Sequence, residues 1–175
     1  MQGRERILIT GGAGFIGSVI AGDIADQGHY RVVVCDQFGH SDKWRNLSKH
    51  QIYEIIAPAD LLGWLEANAA QLKAVIHMGA ISSTTETDVD LILANNFSLS
   101  QQLWHWCTEH QRPLIYASSA ATYGDGSAGF EDDDSMEYLK RLHPLNAYGW
   151  SKLLFDEFVC ASVRRGDSTP PQWAG

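Results

Sequence analysis

Positive charge, cysteine and long apolar runs are all scarce in this chain of 175 residues. Lys and Arg number 13 against 21 Asp and Glu, a formal net charge of −8. That balance excludes a nucleic-acid binder, which needs clustered cations to neutralise phosphates. It equally excludes a polybasic membrane-surface role. Cys35, Cys107 and Cys160 are odd in number and widely spaced, so no disulfide framework is implied, and all three are read as reduced thiols. No apolar run approaches the roughly 18 residues of a membrane helix. Ile7-Leu8-Ile9 is too short for the apolar stretch of a signal peptide, and a cytoplasmic location is expected. What remains is globular: 45% apolar and 19% charged residues, in a length that suits one domain.

Strand-like and helix-like stretches alternate along the chain. Ile7 to Thr10 is a short apolar run that ends at glycines. Gly14 to Gln27 predicts a helix with Ile16, Ile20 and Ile24 on one face. Arg31 to Asp36 contains a β-branched run suited to a strand buried on both faces. Ile52 to Ile56 is a weaker strand, and Asp60 to Gln71 is helical with Leu61, Leu62 and Leu65 at helical spacing. Ala74 to His77 and Leu114 to Ala117 are strands four and five. Glu86 to His110 reads as one long helix, and Asn146 to Arg165 as another. Strands separated by helices specify a parallel sheet with right-handed crossovers. The expected fold is α/β, a doubly wound Rossmann-like sheet of order 3-2-1-4-5. Gly124 to Pro144, with Glu131-Asp132-Asp133-Asp134, lacks periodicity and is read as a solvated acidic loop. Thr169 to Gly175 looks like a loop leading to another strand. The sheet is therefore expected to stop before strand six. Residues 1–175 would form an incomplete dinucleotide-binding domain without a C-terminal substrate domain.

Three constellations carry chemistry. Thr10-Gly11-Gly12-Ala13-Gly14-Phe15-Ile16-Gly17 follows a strand and opens a helix. Gly11 permits a tight turn, Gly14 lets backbone approach a pyrophosphate, and Gly17 lets the helix pack closely on the strand. The helix N-terminus offers free N–H groups to phosphates. Asp36 stands at the end of the second strand, about 20 residues beyond the glycines, where a ribose is recognised. Tyr148 and Lys152, four apart, share one helix face. A free phenol, with a pKa of about 10, is a poor base at neutral pH, and a neighbouring ammonium favours its ionised form. The plain alternative is an exposed helix pair. Ser118 and Ser119 lie at the carboxyl end of strand five, where ligands bind in such sheets, although serines there also cap loops. His77-Met78-Gly79-Ala80 ends strand four, and Ser82 to Thr85 are expected to cap the helix that follows. His105, Cys107 and His110 lack metal-ligand spacing, so no metal site is read. Trp104 and Trp106 serve packing or a subunit contact.

The glycine motif, the strand-five serines and the Tyr-x-x-x-Lys pair occur in the order of the extended short-chain dehydrogenase/reductase family, which the chain resembles. Gly79 to Glu86, Tyr116 to Gly124 and Leu145 to Asp156 are most similar to its nucleotide-sugar epimerases that act on ADP-heptose. The resemblance implies that Phe15 and Ile16 contact the pyrophosphate, Asp36 and Gln37 the adenosine ribose, and Lys43 the 2′-phosphate region. Met78, Gly79, Ala80, Ile81, Ser82 and Asn95 would line the rest of the cofactor site. Tyr148 would exchange a proton with the sugar hydroxyl, Lys152 would assist it and hold a cofactor ribose, and Ser119 would hold the same sugar oxygen. Two departures from the family pattern are Met78, where an acidic residue is common, and Pro58, where a second lysine is used. NADP is the expected cofactor. NAD stays open because Asp36 suits it.

The implied activity is inversion at C6″ of an ADP-heptose by transient oxidation, in lipopolysaccharide precursor synthesis. The alternatives are a related 4-epimerase or dehydratase, or a non-catalytic nucleotide-binding fragment. A second acid/base is expected beyond Gly175, so the chain alone would bind dinucleotide without turnover. A homo-oligomer is expected, through the edges of strands three and five and an apolar surface of Leu99, Leu103, Trp106, Leu154 and Phe158.

Overall fold

The computed structural model describes residues 4–175. Among these, β1 (Arg6–Thr10), β2 (Arg31–Cys35), β3 (Glu54–Ile56), β4 (Leu72–His77), β5 (Leu114–Tyr116) and β6 (Trp173–Ala174) form one sheet. Its order is β3-β2-β1-β4-β5-β6 and every pairing is parallel. The predicted 3-2-1-4-5 order is therefore observed, and the order reverses between β1 and β4. The expectation that the sheet stops before strand six is corrected. Trp173 and Ala174 pair with Leu114 and Ile115. Two residues joined through backbone hydrogen bonds carry no periodicity to read. β5 is consequently not an edge of the sheet.

The helices are α1 (Phe15–Gln27), α2 (Trp44–Leu47), α3 (Leu61–Asn68), α4 (Val89–Ile92), α5 (Leu99–Glu109), α6 (Met136–Leu139) and α7 (Ala147–Arg165). No helix among the described residues is long and apolar enough to cross a membrane. The chain forms two compact units. The first runs to Gly79 and takes back His110–Tyr116 and Gln172–Ala174. The second holds Ala80–Glu109 and Ala117–Pro171.

In the first unit, Ile7, Ile9, Val32, Val34 and Ile76 from the sheet pack with Ala13, Ala21 and Leu47. α1 buries its small residues Gly17, Ser18, Ala21 and Gly22. Ile20 and Ile24 flank that contact, whereas Ile16 is 59% exposed. The predicted apolar face thus starts one turn late. The tight approach needs small side chains, and Ile16 is left at the helix mouth. Burial pushes the Cys35 and Cys107 thiols up to about 12, with Asp36 and Asp60 adding to the effect at Cys35.

In the second unit, the predicted long helix runs through α4, a π-helical stretch Leu93–Ser98, and α5. Asp88 caps it, accepting from Leu91 N at 2.9 Å, so the cap expected of Ser82 to Thr85 lies further on. Leu103, Trp104 and Trp106 are buried, and Trp104 meets Phe155 and Phe158 of α7 edge-on. Of the apolar side chains expected on a subunit surface, Leu103 and Trp106 are thus buried, whereas Leu99, Leu154 and Phe158 are half-buried. Gly124 to Pro144 is also more ordered than expected. Glu131 to Ser135 are exposed, but Tyr138, Leu139 and Leu142 form a core with Leu153. The Tyr138 hydroxyl donates to Gly129 O at 3.1 Å and accepts from Glu131 N at 3.0 Å.

Candidate functional site

In the first unit the glycine loop is shaped by contacts that admit no side chain. Gly11 has φ +65°, and a Cβ there would lie 2.7 Å from Gly79 Cα. A Cβ on Gly17 would lie 2.2 Å from the Gly11 carbonyl oxygen. The third glycine therefore packs α1 on the loop's own backbone rather than on the strand. Gly14 is the N-cap of α1 and no side chain caps that end, so the first-turn N–H groups stay open to an anion. Phe15 and Ile16 stand beside them, 87% and 59% exposed.

Asp36 is bound into the loop. Its Oδ2 accepts from Ala13 N at 2.8 Å, and its Oδ1 lies 3.2 Å from Lys43 Nζ. Lys43 also donates to the carbonyl of the exposed Gln37 at 3.4 Å. Asn46, which the sequence did not single out, holds the other side of the same residue by donating to Ala13 O at 2.9 Å. At the end of β4, Gly79 N donates to Thr10 Oγ1 at 3.1 Å, and that oxygen meets His77 Nδ1 at 2.6 Å. The half-buried Met78 packs on the β1–β2 core. The loop, Asp36, Gln37, Lys43, Met78 and Gly79 all belong to this unit.

The second unit holds the other predicted residues. Ala80 and Ile81 are half-buried and Ser82 is exposed. Asn95, expected to face a cofactor, bonds the Leu91 carbonyl of its own helix at 2.8 Å. Its neighbour Asn96 is fully buried and holds three partners. It accepts from Ile81 N at 2.8 Å and donates to Ile81 O and Ser151 Oγ, both at 3.0 Å. Both asparagines lie in the π-helical stretch, a device common at functional sites.

α7 starts at Asn146, whose side chain caps Gly149 N at 2.8 Å. It presents Tyr148, half-buried, and Lys152, 3% exposed, one turn apart. A Cβ on Gly149 would lie 2.5 Å from Ala121 O, which seats α7 against the turn Ala120–Tyr123. Ser119 begins that turn, and its Oγ accepts from Ala121 N at 3.1 Å. Ser118 Oγ donates to Asp156 Oδ2 at 2.5 Å. Ser119, Tyr148 and Lys152 are thus held in one unit by a shared frame. Of the rejected metal group, His105 is an exposed residue with its ring on Phe158, Cys107 is buried, and His110 lies 3.8 Å from Glu66.

Burial draws the Lys152 pKa below its ordinary 10.5, against the opposing pull of the Asp156 carboxylate. The unfolded chain therefore binds the extra proton between the two values. The cost to stability is complete below the folded value and fades as pH rises towards 10.5. Stability of the parent chain is therefore expected to rise between pH 7 and pH 10, and Lys152→Met should remove that rise, as urea melts of the two proteins at both pH values check.

Comparison with known proteins places these features in context. The model of the NAD dependent epimerase/dehydratase family matches residues 7–170. The chain is 44% identical over 171 residues to ADP-L-glycero-D-manno-heptose-6-epimerase of Fusobacterium nucleatum, covering 97% of this chain and 50% of that protein. It is 43% identical over 151 residues to the enzyme of that name from Nitratidesulfovibrio vulgaris, covering 85% and 46%. The crystal structure of ADP-L-glycero-D-manno-heptose-6-epimerase from Helicobacter pylori aligns with TM-score 0.74 and 34% identity, over 90% of this chain and 51% of that one. UDP-glucuronic acid 4-epimerase from Bacillus cereus, in complex with NAD, aligns with TM-score 0.74 and 27% identity, over 91% and 52%. The chain spans about half the length of the curated relatives it matches.

Proposed function

Because the chain belongs to the NAD dependent epimerase/dehydratase family, we propose that it is the cofactor-binding and proton-transfer half of an epimerase that inverts C6″ of an ADP-heptose. What carries the reading is Tyr148 one turn from the buried Lys152 on α7, in a frame shared with Ser119. The names of the relatives support the substrate, and, as the family resemblance implies, an ADP-heptose product would serve lipopolysaccharide core synthesis. The reading extends to a cytoplasmic homo-oligomer.

The residues present fit a nicotinamide dinucleotide. Gly11, Gly14 and Gly17 leave backbone bare at an uncapped helix start. Gly11, Phe15 and Ile16 would hold the pyrophosphate, and Asp36 and Gln37 the ribose. When bound, such a group supplies a hydride acceptor and donor. Transient oxidation requires the sugar hydroxyl to lose its proton and regain it, and the Tyr148 hydroxyl serves both directions. The Lys152 ammonium compensates the charge on the phenolate as it forms. Ser119 offers a hydrogen bond to the same oxygen.

The Lys43–Asp36 ion pair supports NADP over NAD. A bare carboxylate would repel a 2′-phosphate, whereas here an ammonium lies against it and remains partly exposed. Calorimetry on the 175-residue chain tests this. NADP is expected to bind more tightly than NAD by about tenfold, the worth of one charge-assisted hydrogen bond. Lys43→Ala should erase the preference, and Gly17→Ala should abolish binding of both. No epimerisation is expected from the 175-residue chain by itself. Failure of both dinucleotides to bind a chain folded by circular dichroism overturns the cofactor reading.

A further inference from the structure

We propose that Asp156 is the positioning residue of the Tyr148–Lys152 pair. Tethered by the Ser118 hydroxyl, its carboxylate keeps the buried Lys152 ammonium charged and fastens α7 to the segment that carries Ser119. The inference rests on the reading of Tyr148 and Lys152 given above.

Asp156 follows Lys152 by one helical turn and shares its face of α7. An ammonium that is 3% exposed has lost most of its hydration, and such a charge persists only beside a counter-charge. Titratable groups on the elements packed against α7 are Asp90 on α4, His105, Cys107 and Glu109 on α5, Tyr123 in the Ala120–Tyr123 turn, and Glu137 and Tyr138 on α6. On α7 itself stand Tyr148, Glu157, Cys160, Arg164 and Arg165. Of all these charges, Asp156 is the one that acts on Lys152, raising a pKa that burial lowers.

Ser118 fixes where that carboxylate points. Its hydroxyl donates at 2.5 Å, the length of a charge-assisted O–H···O⁻ bond. Ser118 directly precedes Ser119, so the bond also ties the loop after β5 to α7. The close seat of Gly149 on Ala121 fastens the same two elements nearer the helix start. Lys152 lies between the two fastenings. A neutral lysine could not compensate a phenolate, so Asp156 sets the upper pH limit at which the pair works.

The test follows the Lys152 titration by NMR of ¹³Cε-lysine in the 175-residue chain, together with the pH profile of kcat in the full-length protein. Asp156→Asn keeps the shape and removes the charge. It should lower the Lys152 midpoint by about one unit or more, the size of effect an adjacent opposite charge produces. The alkaline fall of kcat should move down with it. Ser118→Ala should give a smaller shift in the same direction, and that shift should vanish in the Asp156→Asn background. An unchanged midpoint in Asp156→Asn overturns the proposal, as does a Ser118→Ala effect that persists without the carboxylate. Should Asp156→Asn not fold, Ser118→Ala decides: a downward shift supports the tether and no shift overturns it. Full turnover by Tyr148→Phe would sink the catalytic reading alone, leaving the hold of Asp156 on Lys152 to be read from the titration.

Discussion

Tyr148→Phe in the full-length protein is expected to lose about 10²–10⁴-fold in epimerisation rate, the typical worth of a general acid–base group, while binding dinucleotide as the parent does. The substitution removes one oxygen and almost no volume. The backbone at this position is held independently of the side chain, because Ser151 Oγ donates to the Tyr148 carbonyl at 2.7 Å. The helix start is likewise fixed by Asn146 and by Gly149, not by the phenol. Loss of rate therefore cannot arise from a displaced helix. Initial rates on an ADP-heptose, paired with calorimetry for the dinucleotide, separate the two effects. Near-parental turnover would show that the proton travels by another group.

The sheet and the glycine loop were legible in the sequence because local and global signals agree there. β-branched runs, a Gly-x-x-Gly-x-x-Gly turn and an acidic residue at the second strand end each point to the same arrangement. The α7 pair was legible for the same reason: Asn146 caps a helix whose fourth-residue spacing aligns Tyr148 with Lys152. Other features were hidden by physics that spacing does not encode. The resemblance pointed to Asn95 as a cofactor contact and was silent on its neighbour Asn96, whose burial in a π-helical stretch regular helical spacing does not reveal. Periodicity showed that the long helix has an apolar side but not what covers it. Leu103 and Trp106 were read as a subunit surface, yet they are buried within the chain. Asp156 lies inside the stretch that carries the family resemblance. Its role emerges only once Ser118, 38 residues away in sequence, is seen to meet it.

Asn96→Ala is expected to cost about 3 kcal/mol or more of stability, a large effect for a polar side chain. The side chain is fully buried and satisfies both backbone groups of Ile81 and the hydroxyl of Ser151. Alanine leaves all three without that partner. Each buried polar group so stranded costs about 1–3 kcal/mol, and the sum is softened because the site can relax. A loss of that size is a large fraction of the 5–15 kcal/mol typical of a folded domain. Asn95→Ala is the matched control. Its side chain bonds a carbonyl of its own helix at a half-exposed position, and its loss should cost less than about 1 kcal/mol. Urea unfolding of the two variants, compared at equal slopes, measures the difference. The effect should also reach the chemistry, because Ser151 sits between Tyr148 and Lys152 and passes the Asn96 contact on to the Tyr148 carbonyl. Equal costs at the two asparagines would mean that the clamp on Ile81 and Ser151 contributes nothing beyond ordinary helix stability, and that another interaction holds the start of α7 in place.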